Sequence, residues 1–175
     1  MQSITTKKWF ERKFDFNVSN DDHAVVNNRL HQTIEKLQQL LAGLPNDLLV
    51  YKPQGKWSIK ENTGHLAVLE PLWRERFIQI QTGDVVLAPA DLENKATFDA
   101  GFNDLNIATI LEKFIDERRK TLLLLDDINE EDKTKSSLHP RLNQPMRIID
   151  LAYFVAEHDE HHLSRILDII GVLKA

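Results

Sequence analysis

The chain has 175 residues, 42% of them hydrophobic and 28% charged, and a formal net charge of −5. That is enough for one domain with a real core and too little for two, and the acidic balance argues against nucleic acid or an anionic membrane surface as the main partner. Cysteine is absent, which removes disulfides, thiolate metal ligands and a cysteine nucleophile together.

No stretch approaches a transmembrane span, and the opening MQSITTKKWF lacks the apolar core of a signal peptide. A soluble, cytoplasmic protein with no membrane partner is expected. Residues 1–17 carry Trp9, Phe10, Phe14 and Phe16. They are too aromatic for a free tail and are expected to pack on the rest of one domain spanning 1–175.

The first helical pattern follows SNDD, where Ser19 or Asn20 can cap. Its apolar stripe is Val26, Leu30, Ile34, Leu37, Leu41 and Leu44, in steps of three and four, with Gly43 near its end. The second opens at Ser58, which has capping-box spacing to Glu61, and should stop near Gly83. Its inward stripe reads His65, Leu69, Leu72 and Arg76, and Pro71 in its interior predicts a kink or bulge. The third pattern runs from about Asn106 to Asp127 and includes Arg118. The fourth runs from about Pro145 to Val172 through Leu151, Val155, His158, His162 and Ile166. No segment alternates with period two over a useful length. Four amphipathic helices without strands predict an all-α four-helix bundle. The connection around residues 83–104 is long for a bundle, as lids and crossovers are.

The stretch AEHDEHHLSRI holds His158, His161 and His162. At about 100° and 1.5 Å per residue, His158 and His162 lie roughly 40° and 6 Å apart, on one face. That face is the apolar stripe, so both imidazoles point inward, where unpartnered rings are costly. Neutral imidazole is a good ligand for zinc, nickel, copper or iron. His161 lies off the stripe. For a third ligand His65 is the best placed. His23 and His31 lie off the first stripe, and His139 precedes Pro140 in a loop. From spacing alone, a metal cluster and a set of ordinary core histidines bonded to carboxylates both remain open.

The run KWSIKENTGHLAVLEPLW, followed about ninety residues later by EHDEHHLSRI, resembles the DinB/YfiT-like family of metal-dependent enzymes. The resemblance extends over almost the whole chain. It implies a four-helix bundle with a long crossover and a metal site whose ligand positions match His65, His158 and His162. It also implies a small-molecule substrate, a hydrolase or a transferase using a low-molecular-weight thiol such as bacillithiol or mycothiol, and a homodimer. Zinc or nickel is the expected ion. Three neutral ligands leave open positions, which suits catalysis better than a closed structural site.

Near the histidines, Asp159 is a candidate for orienting an imidazole, and Glu160 reads as solvated. Arg76 and Arg118 interrupt apolar stripes. They are candidates for holding an anionic substrate group, although such residues more often form structural ion pairs. A non-catalytic metal-binding or association module of the same fold is the alternative to an enzyme.

Overall fold

The computed structural model describes residues 9–172. Four long helices form the bundle: α1 (His23–Leu41), α3 (Ile59–Thr82), α5 (Ile107–Asp126) and α6 (Ile148–Val172). Short helices α2 (Asn46–Leu49) and α4 (Lys95–Asp99) lie in the connections. Among the described residues no helix is long and apolar enough to cross a membrane.

Local chemistry accounts for most of the ends. Ser58 Oγ accepts from the Glu61 amide while Glu61 accepts from the Ser58 amide, so the capping box is complete. Gly83 closes α3 in the left-handed region, at φ 82°. Asn106 caps α5 through the Ala108 amide. Ser19 caps a 3₁₀ turn at Asn20–Asp22, and α1 starts one residue later. Pro71, where the sequence predicts a kink or bulge, lies inside α3, which continues as α-helix through it.

Both α1 and α3 pack mainly on α5 and α6. Helices consecutive among the long four are therefore diagonal at the first and last steps, α1 to α3 and α5 to α6, and the connections must cross the ends of the bundle. One part of the core gathers Leu30, Trp73, Phe77, Leu122, Phe154 and Val155. A second gathers Leu37, Ile59, Leu66, Phe114, Leu163 and Ile166. Trp9, Phe14 and Phe16 pack against the first, whereas Phe10 is exposed. Residues 1–8 of the expected aromatic extension lie outside the described residues.

The expectation of no strands is corrected. Between α5 and α6 an antiparallel hairpin pairs β1 (Ser136–His139) with β2 (Gln144–Arg147). Its turn carries Asn143 at φ 52°, whose amide donates to the His139 carbonyl. Leu138 also exchanges backbone bonds with Val85 and Leu87 of the long connection. Strands of four residues are too short for alternation to stand out from the helical pattern beside them. Pro145 lies in β2, so α6 begins at Ile148 rather than near Pro145. Asp150 accepts from the Arg147 amide at that start.

One contact fixes the path of the long connection. A Cβ added at Gly64 would lie 2.5 Å from the Phe102 ring, so only glycine lets that buried ring sit flat on α3. The same connection then reaches His65 through Thr97 on α4.

Candidate metal centre

His65 comes from α3, and His158 and His162 from α6. All three are buried. One ring nitrogen from each lies within 4.8 Å of the others, and Nε2 of His158 is 3.2 Å from Nε2 of His162. Neighbouring imidazole ligands about 2.0–2.1 Å from an ion in tetrahedral geometry are about 3.3 Å apart. The pair is spaced for a shared ion.

The surroundings set which nitrogen faces the centre. Asn62 donates its side-chain amide to the carbonyls of Trp57 and Ser58. That turns its Oδ1 toward His162 Nδ1, 2.8 Å away. An oxygen can only accept there, so His162 Nδ1 carries the proton and Nε2 keeps its lone pair for the centre. His65 Nδ1 meets Thr97 Oγ1 at 2.9 Å, a contact that fixes the ring's orientation and engages the nitrogen turned toward Thr97. Nδ1 of His158 is buried and, among the described residues, has no hydrogen-bond partner. The unpartnered atom is thus on the far side of the ring from the Nε2 that meets His162.

Tryptophans close the shell. Trp57 lies over His65 and His162, with ring centres 4.7 and 5.9 Å away. Trp9 and Trp73 flank His158 at 5.1 and 5.7 Å. This dry packing makes imidazolium unfavourable. Burial pushes His65 down to about 4, and burial with the neighbouring imidazoles holds His158 and His162 well below the usual histidine range. The neutral form that ligates metal is the form present at neutral pH.

The cluster opens into a cavity of about 850 Å³, which the long connection helps to line through Pro89, Asp91, Leu92 and Phe98. His161 also lines it and stands edge-on to His162 at 5.2 Å, outside the trio of converging nitrogens.

Two candidates lie elsewhere. Asp159 does not orient an imidazole. One residue along α6 from His158 it points about 100° away, where both its oxygens accept from Arg118, at 2.6 and 3.0 Å, and Thr33 adds a third bond. Arg118 is fully buried and also bonds Glu70 at 2.8 Å. It closes an internal ion network that faces away from the cavity and so is not a substrate clamp. Glu160 pairs with Lys36 on a half-exposed face. Arg76, in contrast, does line the cavity. The orienting groups missed in the sequence are Asn62 and Thr97. Asn62 sits one turn before the Gly-His pair on α3, so its reach toward α6 follows from helical spacing. Thr97 had no such signal.

The pattern of the DinB superfamily matches residues 29–166. The chain belongs to the DinB superfamily. No curated protein sequence matches it. Within the DinB fold, the structure is similar to YfiT from Bacillus subtilis, described as a probable metal-dependent hydrolase with an unusual four-helix bundle topology. That match has a TM-score of 0.78, 16% identity and 94% coverage of each chain. The mycothiol-dependent maleylpyruvate isomerase matches with a TM-score of 0.66 at 10% identity over 87% of this chain and 62% of its own. An uncharacterized protein from Clostridium difficile 630 matches with a TM-score of 0.66 at 12% identity, over 86% of this chain and 96% of that one. At such identities the likeness is one of fold.

Proposed function

We propose that this DinB protein is a metal-dependent enzyme acting on a small molecule, with His65, His158 and His162 holding a divalent ion, zinc or nickel. The observation that carries this reading is the hydrogen-bond chain from the Trp57 and Ser58 carbonyls through Asn62 to His162, which aims an unprotonated Nε2 at the other two rings. A divalent ion held by three neutral ligands supplies Lewis acidity at open positions, to a water or a thiol. Asn62 holds His162 in one tautomer and orientation, and Thr97 holds the orientation of His65. Trp9, Trp57 and Trp73 give the cavity an apolar wall beside the histidines, and the substrate would sit in that cavity.

Hydrolysis is the first reading. Transfer of a low-molecular-weight thiol is the second, supported by a cavity of about 850 Å³, large enough for a co-substrate beside the substrate; the chain has no cysteine, so such a thiol would be borrowed. The lining carboxylates do not decide between them. Asp91 accepts from the Glu93 and Lys95 amides, and Asp168 sits by Arg165 at the exposed rim.

The test begins with metal content by mass spectrometry on protein purified without chelator or nickel resin. The zinc-loaded protein is then assayed with p-nitrophenyl esters and, separately, with an electrophilic arene plus bacillithiol or mycothiol. The expected result is about one ion per chain and turnover that disappears in His158→Ala. An ion content that His158→Ala and His65→Ala leave unchanged overturns the ligand set. Binding without turnover in either assay points to the non-catalytic module instead.

A further inference from the structure

A second group of donors faces the same cavity on the hairpin side, away from the histidine trio. Arg76 is 1% exposed, yet among the described residues no carboxylate lies within ion-pair distance of it. Its Nε donates to the Ala88 carbonyl at 2.8 Å, and its Nη1 lies 3.3 Å from His139 Nε2. Arg141 lines the cavity as well, with Nη2 buried and, among the described residues, without a hydrogen-bond partner. Arg118 shows what this chain does with a structural buried arginine: it supplies two carboxylates. Arg76 and Arg141 receive none.

His139 sharpens the point. Its Nδ1 accepts from the backbone amides of Arg141 and Leu142, both at 3.2 Å. Two N–H groups aimed at one ring nitrogen require it to be unprotonated, so the neutral ring carries its proton on Nε2. That N–H faces the Arg76 guanidinium, donor against donor. Burial and the two arginines hold His139 down to about 4, and burial with Arg141 pushes Arg76 down to about 10. Arg76 Nη1 and His139 Nε2–H thus meet donor to donor, Arg141 Nη2 stands on the same cavity, and among the described residues no acceptor serves these three nitrogens; a buried cation without a counter-charge is costly.

We propose that Arg76, Arg141 and His139 Nε2–H form a binding site for an oxyanion, a carboxylate or phosphate carried by the substrate. Guanidinium groups match the planar and bidentate geometry of both. Trp73 forms a wall common to the two sites, with its ring 5.3 Å from the Arg76 guanidinium carbon and 5.7 Å from the His158 ring centre. A small anionic molecule anchored here extends its other end toward the histidines. The role as a substrate anchor rests on the enzyme reading above. Oxyanion binding itself does not, and it is measurable without metal.

The test is thermal denaturation of protein dialysed against EDTA, titrated with sodium phosphate or sodium acetate against sodium chloride at equal ionic strength. The expected result is a rise in melting temperature above the chloride control with at least one of the two, about 5–10 °C at a hundredfold excess over Kd. Arg76→Met and Arg141→Gln should remove the rise, and His158→Ala should keep it. Which salt acts identifies carboxylate or phosphate. Arg141 is half-buried, so its substitution reports even if the Arg76 variant folds poorly. No rise over chloride, or a rise undiminished in Arg141→Gln, overturns the site. A rise seen only with added zinc and lost in His158→Ala also overturns it, because the anion then binds the metal. Absence of zinc binding with the anion response intact removes the metal reading and leaves this site standing.

Discussion

The Asn62 side-chain oxygen lies 2.8 Å from His162 Nδ1, while its amide nitrogen lies 2.7 Å from the Ser58 carbonyl oxygen. The N-terminal turn of one helix therefore sets the tautomer of a histidine on another. Asn62→Ala should weaken zinc binding about 10–100-fold, as loss of an orienting partner does. His161→Ala should change it little, because its nitrogens stand outside the converging trio. Calorimetric zinc titration of the two variants checks both. Equal losses would show that His161 shares the ion.

Stability should depend on pH through the buried histidines. Folded-state values near 4 for His65 and His139 lie below the ordinary 6.5. Between these limits the unfolded chain binds more protons than the folded one. The sign follows: stability is full above about pH 6.5 and falls as pH drops toward about 4. Zinc should raise the melting temperature at pH 8, and this gap should close toward pH 5 as protons compete for the ligands. Calorimetry of metal-free and zinc-loaded protein across this range measures both effects. A melting temperature flat between pH 7 and 4.5 would contradict the burial argument.

Arg118→Met should be among the most damaging single changes, at about 3–5 kcal/mol, because Glu70 and Asp159 remain buried without their partner. Burial already pushes the Glu70 carboxyl upward despite the arginine. Arg76→Met should cost less than about 1 kcal/mol or stabilise, since it removes a buried charge that has no counter-ion and leaves no acid stranded. Urea denaturation of the two variants gives the comparison, and similar losses would refute the contrast.

Gly64→Ala should destabilise by about 1–3 kcal/mol through overpacking against Phe102. In a Phe102→Ala background the same change should cost almost nothing. A double-mutant cycle measures this coupling. Because Phe102 holds the connection that carries Thr97, Gly64→Ala should also weaken zinc binding, and unchanged affinity would separate the connection from the metal centre.

The four long helices were legible in the sequence because a stripe in steps of three and four identifies a helix whatever it packs on. The same geometry placed His158 and His162 on one face and turned His65 inward. Capping at Ser58 and termination at Gly83 depend only on neighbours a few residues away, so these ends were legible too. The hairpin was not, since its four-residue strands are defined by pairing across space. The places of Thr97 and His139 stayed hidden because both lie outside the long helices, in segments whose paths are set by contacts across space, such as Phe102 on Gly64 for the first and the hairpin pairing for the second. In the sequence Arg76 and Arg118 looked alike, each a cation interrupting an apolar stripe. Tertiary structure separated them: the stripe of α5 brings Arg118 against carboxylates from α3 and α6, whereas Arg76 faces a cavity that supplies none. Charge burial is decided by what the other elements bring within a few ångströms, and one helix's periodicity carries no information about that.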